Sequence, residues 1–131
     1  MGLDMFLNGE KFYWTNHDEP EKNLIEDGFE VEVKILRLGY WRKHPDLHGY
    51  IIQTFADGVD ECQQIELSEE DLIKILDAVK RNELPKTSGF FFGTTETADE
   101  QDTIKQIAKA IEWVKTEEKD VSRSVFYRAS W

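Results

Sequence analysis

Residues 29–40 read Phe29-Glu30-Val31-Glu32-Val33-Lys34-Ile35-Leu36-Arg37-Leu38-Gly39-Tyr40, and Phe29, Val31, Val33 and Ile35 alternate with Glu30, Glu32 and Lys34. A period of two places one set of side chains on each side of a pleated strand, so this segment predicts a half-buried strand with one wet face. The apolar phase then slips to Leu36, Leu38 and Tyr40. Such a slip predicts a bulge near Ile35 or a strand end covered on both faces.

Upstream, Leu3, Met5 and Leu7 alternate with Asp4 and Phe6 and predict a first strand ending at the turn pair Asn8-Gly9. From there to Gly28 the polar sequence around His17, Asp18, Glu19, Pro20, Glu21 and Lys22 has no usable period and reads as a long surface loop. Two strands with no helix between them favour an antiparallel or mixed sheet.

Downstream, Pro45 suits a first helical position, and Leu47, Ile51, Ile52 and Phe55 make an apolar stripe that Asp57-Gly58 ends. Gln63 to Leu67 reads as a short strand. Ser68 with Asp71 forms a capping-box start for a helix whose predicted buried face is Leu72, Ile73, Leu76 and Val79, ending near Asn82. Phe90-Phe91-Phe92, between Gly89 and Gly93, reads as a short buried strand or a packed loop. Thr97 and Glu100 open a further helix with Ile104, Ile107, Ala108, Ile111 and Val114 on one face, and Val125, Tyr127, Ala129 and Trp131 alternate in a terminal strand. The expectation is one α+β domain over residues 1–131, with a mixed or mainly antiparallel sheet and about three helices packed on it.

With 131 residues and a hydrophobic fraction of 40%, the chain has enough apolar material for one core without disulfide staples. Its net charge of −11 is unevenly spread. Asp57, Asp60, Glu61, Glu66, Glu69, Glu70 and Asp71 follow one another with no Lys or Arg among them, whereas Lys34, Arg37, Arg42 and Lys43 are free of intervening carboxylates. Repulsion of this size argues against direct binding to nucleic acid or to an anionic membrane and fits either solubility or a basic partner. Cys62 is the only cysteine, so no internal disulfide can form, and no apolar run is long enough to span a bilayer. The N-terminal residues lack the basic flank and apolar stretch of a secretion signal, which favours the cytoplasm.

The densest chemistry lies in Gly39-Tyr40-Trp41-Arg42-Lys43-His44, where a strand hands over to a helix. Aromatic faces, two cations and the N–H groups of a helix start could hold a phosphate, a carboxylate or a base. The competing structural reading has Trp41 in the core while Arg42 and Lys43 neutralise the acid of residues 57–61. His44 and His48 have a spacing that could share a metal, with Asp57, Asp60, Cys62 or His17 as the obvious choices for a third ligand, but proline after His44 displaces it from helical geometry, so no metal or other cofactor is expected. Asp57 and Asp60 offer oxygens without the spacing of a calcium loop. Beside Asp60 and Glu61, Cys62 is disfavoured as a nucleophile. Three successive phenylalanines cannot all face one side of a strand, which makes Phe91, with the terminal Trp131, a candidate interface residue.

Taken together, the Met1-to-Leu7 start, residues 39–43, Asp57-Gly58-Val59-Asp60-Glu61-Cys62, residues 88–93 and the Tyr127-to-Trp131 ending resemble a family of small uncharacterised proteins of bacteriophages and prophages. The resemblance implies a bacterial host cell as the setting and no catalytic residues. The expected function is therefore non-enzymatic binding of a host or phage protein through an acidic surface, as a monomer or homodimer. The alternative is a small-ligand or nucleotide-binding protein, with a hydrolase as one form of it, that uses Trp41 to His48 with Asp57 or Asp60.

Overall fold

The alternation of Leu3, Met5 and Leu7 does start a strand, but that strand runs straight through Asn8-Gly9. In the computed structural model, which describes residues 2–84 and 100–131, β1 is Asp4–Tyr13. Gly9 sits mid-strand because the ring of Trp113 lies against it: a Cβ there would meet Trp113 at 2.6 Å and Leu38 Cδ1 at 2.9 Å. It is a glycine of close approach, not of a turn.

The next residues also hold more structure than a loop. A 3₁₀ turn covers Pro20–Lys22, and β2 (Ile25–Glu26) pairs with β3 (Phe29–Glu30) as a small antiparallel hairpin. Its two-residue connection, Asp27-Gly28, has φ of 53° and 84°, the left-handed geometry that matches strand twist in tight hairpins.

The long strand β4 therefore begins only at Val33 and ends at Arg42. It pairs antiparallel with β1, and the register puts Trp41 opposite Met5 and Gly39 opposite Leu7. Asn8 then faces Arg37, so Leu38 is the extra residue of a bulge, three positions beyond the Ile35 expected from the phase slip. The bulge also reverses which set of residues is inward. Phe29 is 76% exposed and Ile35 64%, so the set Phe29, Val31, Val33, Ile35 is not the core face.

β1 pairs on its other side with β6 (Val121–Ser130), and β6 with the short β5 (Ile65–Leu67), all antiparallel, in the order β4-β1-β6-β5. Leu3, Met5 and Leu7 with Val125, Tyr127 and Ala129 form the buried side. Onto that side pack α1 (Pro45–Phe55), α2 (Glu69–Lys80) and α3 (Glu100–Lys115), contributing Leu47, Ile51, Leu72, Ile75 and Ile107 to the same cluster. The architecture is α+β, a four-stranded antiparallel sheet with three helices among the described residues, plus the hairpin.

Pro45 does occupy the start of α1, and Asp57 (φ 51°) with Gly58 (φ 78°) ends it. The capping box of α2 is complete: Asp71 N–H donates to Ser68 Oγ at 3.1 Å, and Ser68 N–H to Asp71 Oδ2 at 3.0 Å. Ile73, expected inside, is exposed, because the buried stripe of α2 is Leu72, Ile75, Ala78 and Val79. In α3 the stripe is Thr103, Ile107, Ala110 and Ile111, with Ile104, Ala108 and Val114 at its margin. Phe90 to Phe92 and Thr97 lie outside the described residues. Among the described residues no helix is long and apolar enough to cross a membrane.

Two substitutions test this account by urea denaturation. Gly9→Ala is expected to destabilise by about 1–3 kcal/mol by forcing Trp113 off the sheet. Ser68→Ala is expected to lose about 1 kcal/mol with the cap of α2.

Candidate functional site

The segment from Tyr40 to His48 spans the end of β4 and the first turn of α1, so sheet pairing and the helix start orient it. Lys43 makes the corner in a left-handed conformation (φ 54°), while its N–H still donates to Leu3 O at 2.8 Å. His44 follows as the residue before the helix with φ −117° and ψ 66°, outside helical geometry as a residue preceding proline should be.

Alternation along the strand then sends neighbours to opposite sides. Trp41 goes inward, where it is buried and its indole Nε1–H donates to Thr103 Oγ1 of α3 at 3.1 Å. Tyr40 and Arg42 go to the uncovered side of the sheet. The Tyr40 hydroxyl donates to Asp4 Oδ1 at 2.5 Å, and its backbone N–H is capped by Gln106 Oε1 at 2.7 Å. The bond to Asp4 is the main reason the phenol titrates above its ordinary range, with Arg37 and Arg42 pulling the other way. The Arg37 guanidinium lies 5.3 Å from the Phe6 ring centre and 5.8 Å from that of Tyr40.

The inward half of α1 carries the unexpected cluster. His48 is 1% exposed, with Nδ1 at 2.6 Å from the Tyr127 hydroxyl and Nε2 at 2.9 Å from Asp60 Oδ2. A carboxylate only accepts, so Nε2–H donates to Asp60, which in a neutral imidazole leaves Nδ1 to accept from Tyr127 O–H. This chain satisfies a hydroxyl at the bottom of an apolar core. Burial first, and the Asp60 charge second, hold the Tyr127 phenol well above its ordinary pKa. Trp131 closes the cluster, half-buried against the core with its ring edge-on to His48 at 5.7 Å between centres.

An Asp-His-hydroxyl series has the order of an activated nucleophile, but the hydroxyl here is fully buried. The void beside it, lined by Trp41, Leu47 and Ile107 among others, is about 10 Å³, at or below the room one water needs. No substrate can reach Tyr127 along this route. The cluster is a fastening between β6, α1 and the turn after α1.

The remaining candidates are dispersed. His44 is buried, its Nδ1 without a hydrogen-bond partner among the described residues, and burial lowers its pKa against a smaller opposing effect of Asp46. Asp57 is exposed in the left-handed turn after α1, and Cys62 is an exposed free thiol. Arg42 and Lys43 make no ion pair with residues 57–61 among the described residues, so of the structural reading the buried Trp41 stands and the neutralisation does not. No three His, Cys, Asp or Glu side chains among the described residues gather as a metal site. Phe91 lies outside the described residues.

Sequence reasoning singled out His48 and Asp60 but not Tyr127. A tyrosine between Val125 and Ala129 on the inward phase of a strand was the available signal, since a buried phenol requires a polar partner.

Tyr127→Phe is expected to destabilise by about 1–3 kcal/mol, because His48 is then left with an unmet buried nitrogen. The raised Tyr127 pKa gives stability that is complete below about pH 10 and lost as pH rises through the folded-state value, so in denaturation series the variant should lose part of the alkaline decline. The lowered His44 pKa works the other way. Its contribution is complete above about pH 6.5 and lost as pH falls toward the folded-state value, and His44→Gln should flatten that portion of the stability–pH curve. Neither a family model, nor a curated protein, nor a solved structure matches this chain.

Proposed function

We propose that this chain is a non-enzymatic bacteriophage or prophage accessory protein that works in the bacterial cytoplasm by binding a basic surface of a host or phage macromolecule through its own acid. The observation carrying this reading is the disposition of charge. Lys11, Lys22, Lys34, Lys115 and Arg123 are each committed to carboxylates of the chain itself. Asp57, Glu61, Glu66, Glu69 and Glu70 stand exposed along the edge formed by β5 and its flanking turns, with no cation between them in the sequence. Acid arranged this way raises the local potential toward a basic partner and speeds its capture.

Internal commitment of the chemical candidates supports the same reading. Trp41 and His48 would contribute polar atoms to a ligand site, but the indole N–H and both imidazole nitrogens are engaged inside the protein. The resemblance to small phage proteins supplies the setting.

Retention of partners from host lysate should fall steeply as salt rises, since surface charge attraction is screened within about 10 Å at 0.1 M salt. Capture indifferent to salt would sink the acidic-surface reading. A thermal-shift screen with nucleotides and divalent metals should leave the melting temperature unchanged, and a shift reversed by Arg42→Ala would favour the ligand-binding alternative.

A further inference from the structure

At the end of the molecule away from α1, large apolar side chains are exposed together. Trp14, Leu24 and Ile25 line an open groove of about 540 Å³, and Phe29 and Val33 line a second of about 530 Å³ that shares Glu30 and Val31 with it. Trp14 is 59% exposed, and its ring meets that of Phe12 edge-on at 4.8 Å. Among the described residues Phe29 is the most exposed of the large apolar side chains, and it follows directly on the tight Asp27-Gly28 turn. Isolated surface apolar residues are ordinary, whereas several sharing adjoining grooves mark an interaction site.

The groove walls are pre-formed. Asn23 Oδ1 accepts from Asn16 N–H at 2.7 Å, Asn23 Nδ2–H donates to Asn16 O and to Glu30 Oε1, each at 3.3 Å, and Val31 N–H donates to Leu24 O at 2.9 Å. Trp14 is held at both ends, by its N–H on Asp120 O at 2.9 Å and by Nε1–H on Ser122 Oγ at 2.8 Å. Little order has to be imposed on such a surface when a partner docks.

Charge states which partner fits. From residue 18 to residue 32 there are seven carboxylates against Lys22 alone, and all of them are exposed. The second groove, with Glu26, Asp27, Glu30 and Glu32, is thus rimmed by acid, while the first carries Glu30, Glu118 and Asp120 against Lys22 and Lys119. A second copy would bring two such rims together and is repelled, as are nucleic acid and anionic lipid. We propose that this face docks a basic polypeptide segment of another protein, its apolar side chains seated on Trp14, Ile25 and Phe29 and its Lys or Arg side chains meeting Glu21, Asp27, Glu30 and Glu32. The inference rests on the reading that the chain binds a basic partner, and it adds to the acidic β5 edge a second, apolar-lined place at the hairpin where a basic segment docks.

The test uses the full chain and synthetic peptides read by fluorescence anisotropy: a Lys/Leu peptide, a Lys/Ser peptide of equal charge, and a Glu/Leu peptide. The Lys/Leu peptide should bind most tightly and lose affinity with salt. Phe29→Ser should weaken it at least about tenfold, the fold-change for withdrawing one large buried apolar side chain, and Glu21→Lys with Glu32→Lys should weaken it comparably. Glu61→Lys with Glu66→Lys, on the β5 edge, should leave it within about twofold. Phe29 is exposed, so its variant should keep the wild-type denaturation midpoint, which separates lost binding from lost folding. Equal binding of the Lys/Ser peptide, or a loss caused by the β5-edge variant and not by Phe29→Ser, overturns the docking site while leaving the acidic-surface reading intact. Failure of both basic peptides while salt-sensitive lysate capture persists does the same. Tighter binding of the Glu/Leu peptide or of single-stranded DNA, or concentration-dependent dimerisation abolished by Phe29→Ser, overturns the partner class.

Discussion

The hydroxyl of Tyr127 is a polar group at the floor of an apolar core, and meeting its hydrogen bond ties the last strand to α1 and the turn that follows it, 79 residues away in sequence. His48 from α1 reaches it at 2.6 Å, and Asp60 from the turn after α1 orients His48 from the other side. An unmet polar group at that depth would remove a sizeable share of a small domain's net stability. The demand also explains why a histidine occupies the buried stripe of α1 among Leu47, Ile51 and Ile52, and why an aspartate next to an acidic surface turns inward. Residues that resemble catalytic parts are thereby committed to holding β6 under the helices.

One-sidedness is the second constraint. All three described helices lie over the face built on Leu3, Met5, Leu7, Val125, Tyr127 and Ala129, leaving the opposite face to Phe6, Tyr40, Arg37 and Arg42. The strand order β4-β1-β6-β5 then separates the two charge blocks seen in the sequence. The basic strand β4 is one edge and the acidic β5 region the other, three strand spacings or about 14 Å apart. Edge strands invite pairing with other chains, and β4 is blunted by Lys34, Arg37 and Arg42, by its bulge at Leu38, and by the Gln106 side chain on Tyr40 N–H. Asp60 turns inward to His48, and Glu19 and Glu26 pair with Lys22 and Lys34, while Asp57, Glu61, Glu66, Glu69, Glu70, Asp18, Glu21, Asp27 and Glu32 face outward.

Much of the secondary structure was legible because its signals are local. Pro45, the Asp57-Gly58 stop and the Ser68–Asp71 box act over one turn and appear where expected, as do α2 and α3 themselves, although the buried stripe of α2 takes Ile75 and Ala78 in place of Ile73 and Leu76. Errors fall where a distant contact overrides local pattern. Asn8-Gly9 has the composition of a turn, yet Trp113, more than a hundred residues away, needs a surface without a Cβ to lie on. Phe29 to Ile35 alternates as a buried strand should, but the register set by Leu7 opposite Gly39 and the bulge at Leu38 turns Ile35 outward. The hairpin at Asp27-Gly28 was a local signal masked by the stronger-looking alternation that follows it. For the site, Trp41, His48 and Asp60 were visible as residues of interest, while their roles depended on partners no spacing rule connects: Thr103 for Trp41, and Tyr127 for His48.

By itself, then, the sequence determined the α+β class, the helix starts and stops, and a strong excess of acid arranged in blocks, because propensity, capping and composition are properties of short segments. Tertiary structure alone decided that Trp41 and His48 are buried with their polar atoms hydrogen-bonded inside the protein, that the two charge blocks form no ion pair with each other among the described residues, and that Trp14 and Phe29 stand exposed beside adjoining grooves. Those outcomes follow from strand order and register, which pair residues by their place in the sheet and take no account of their distance along the chain.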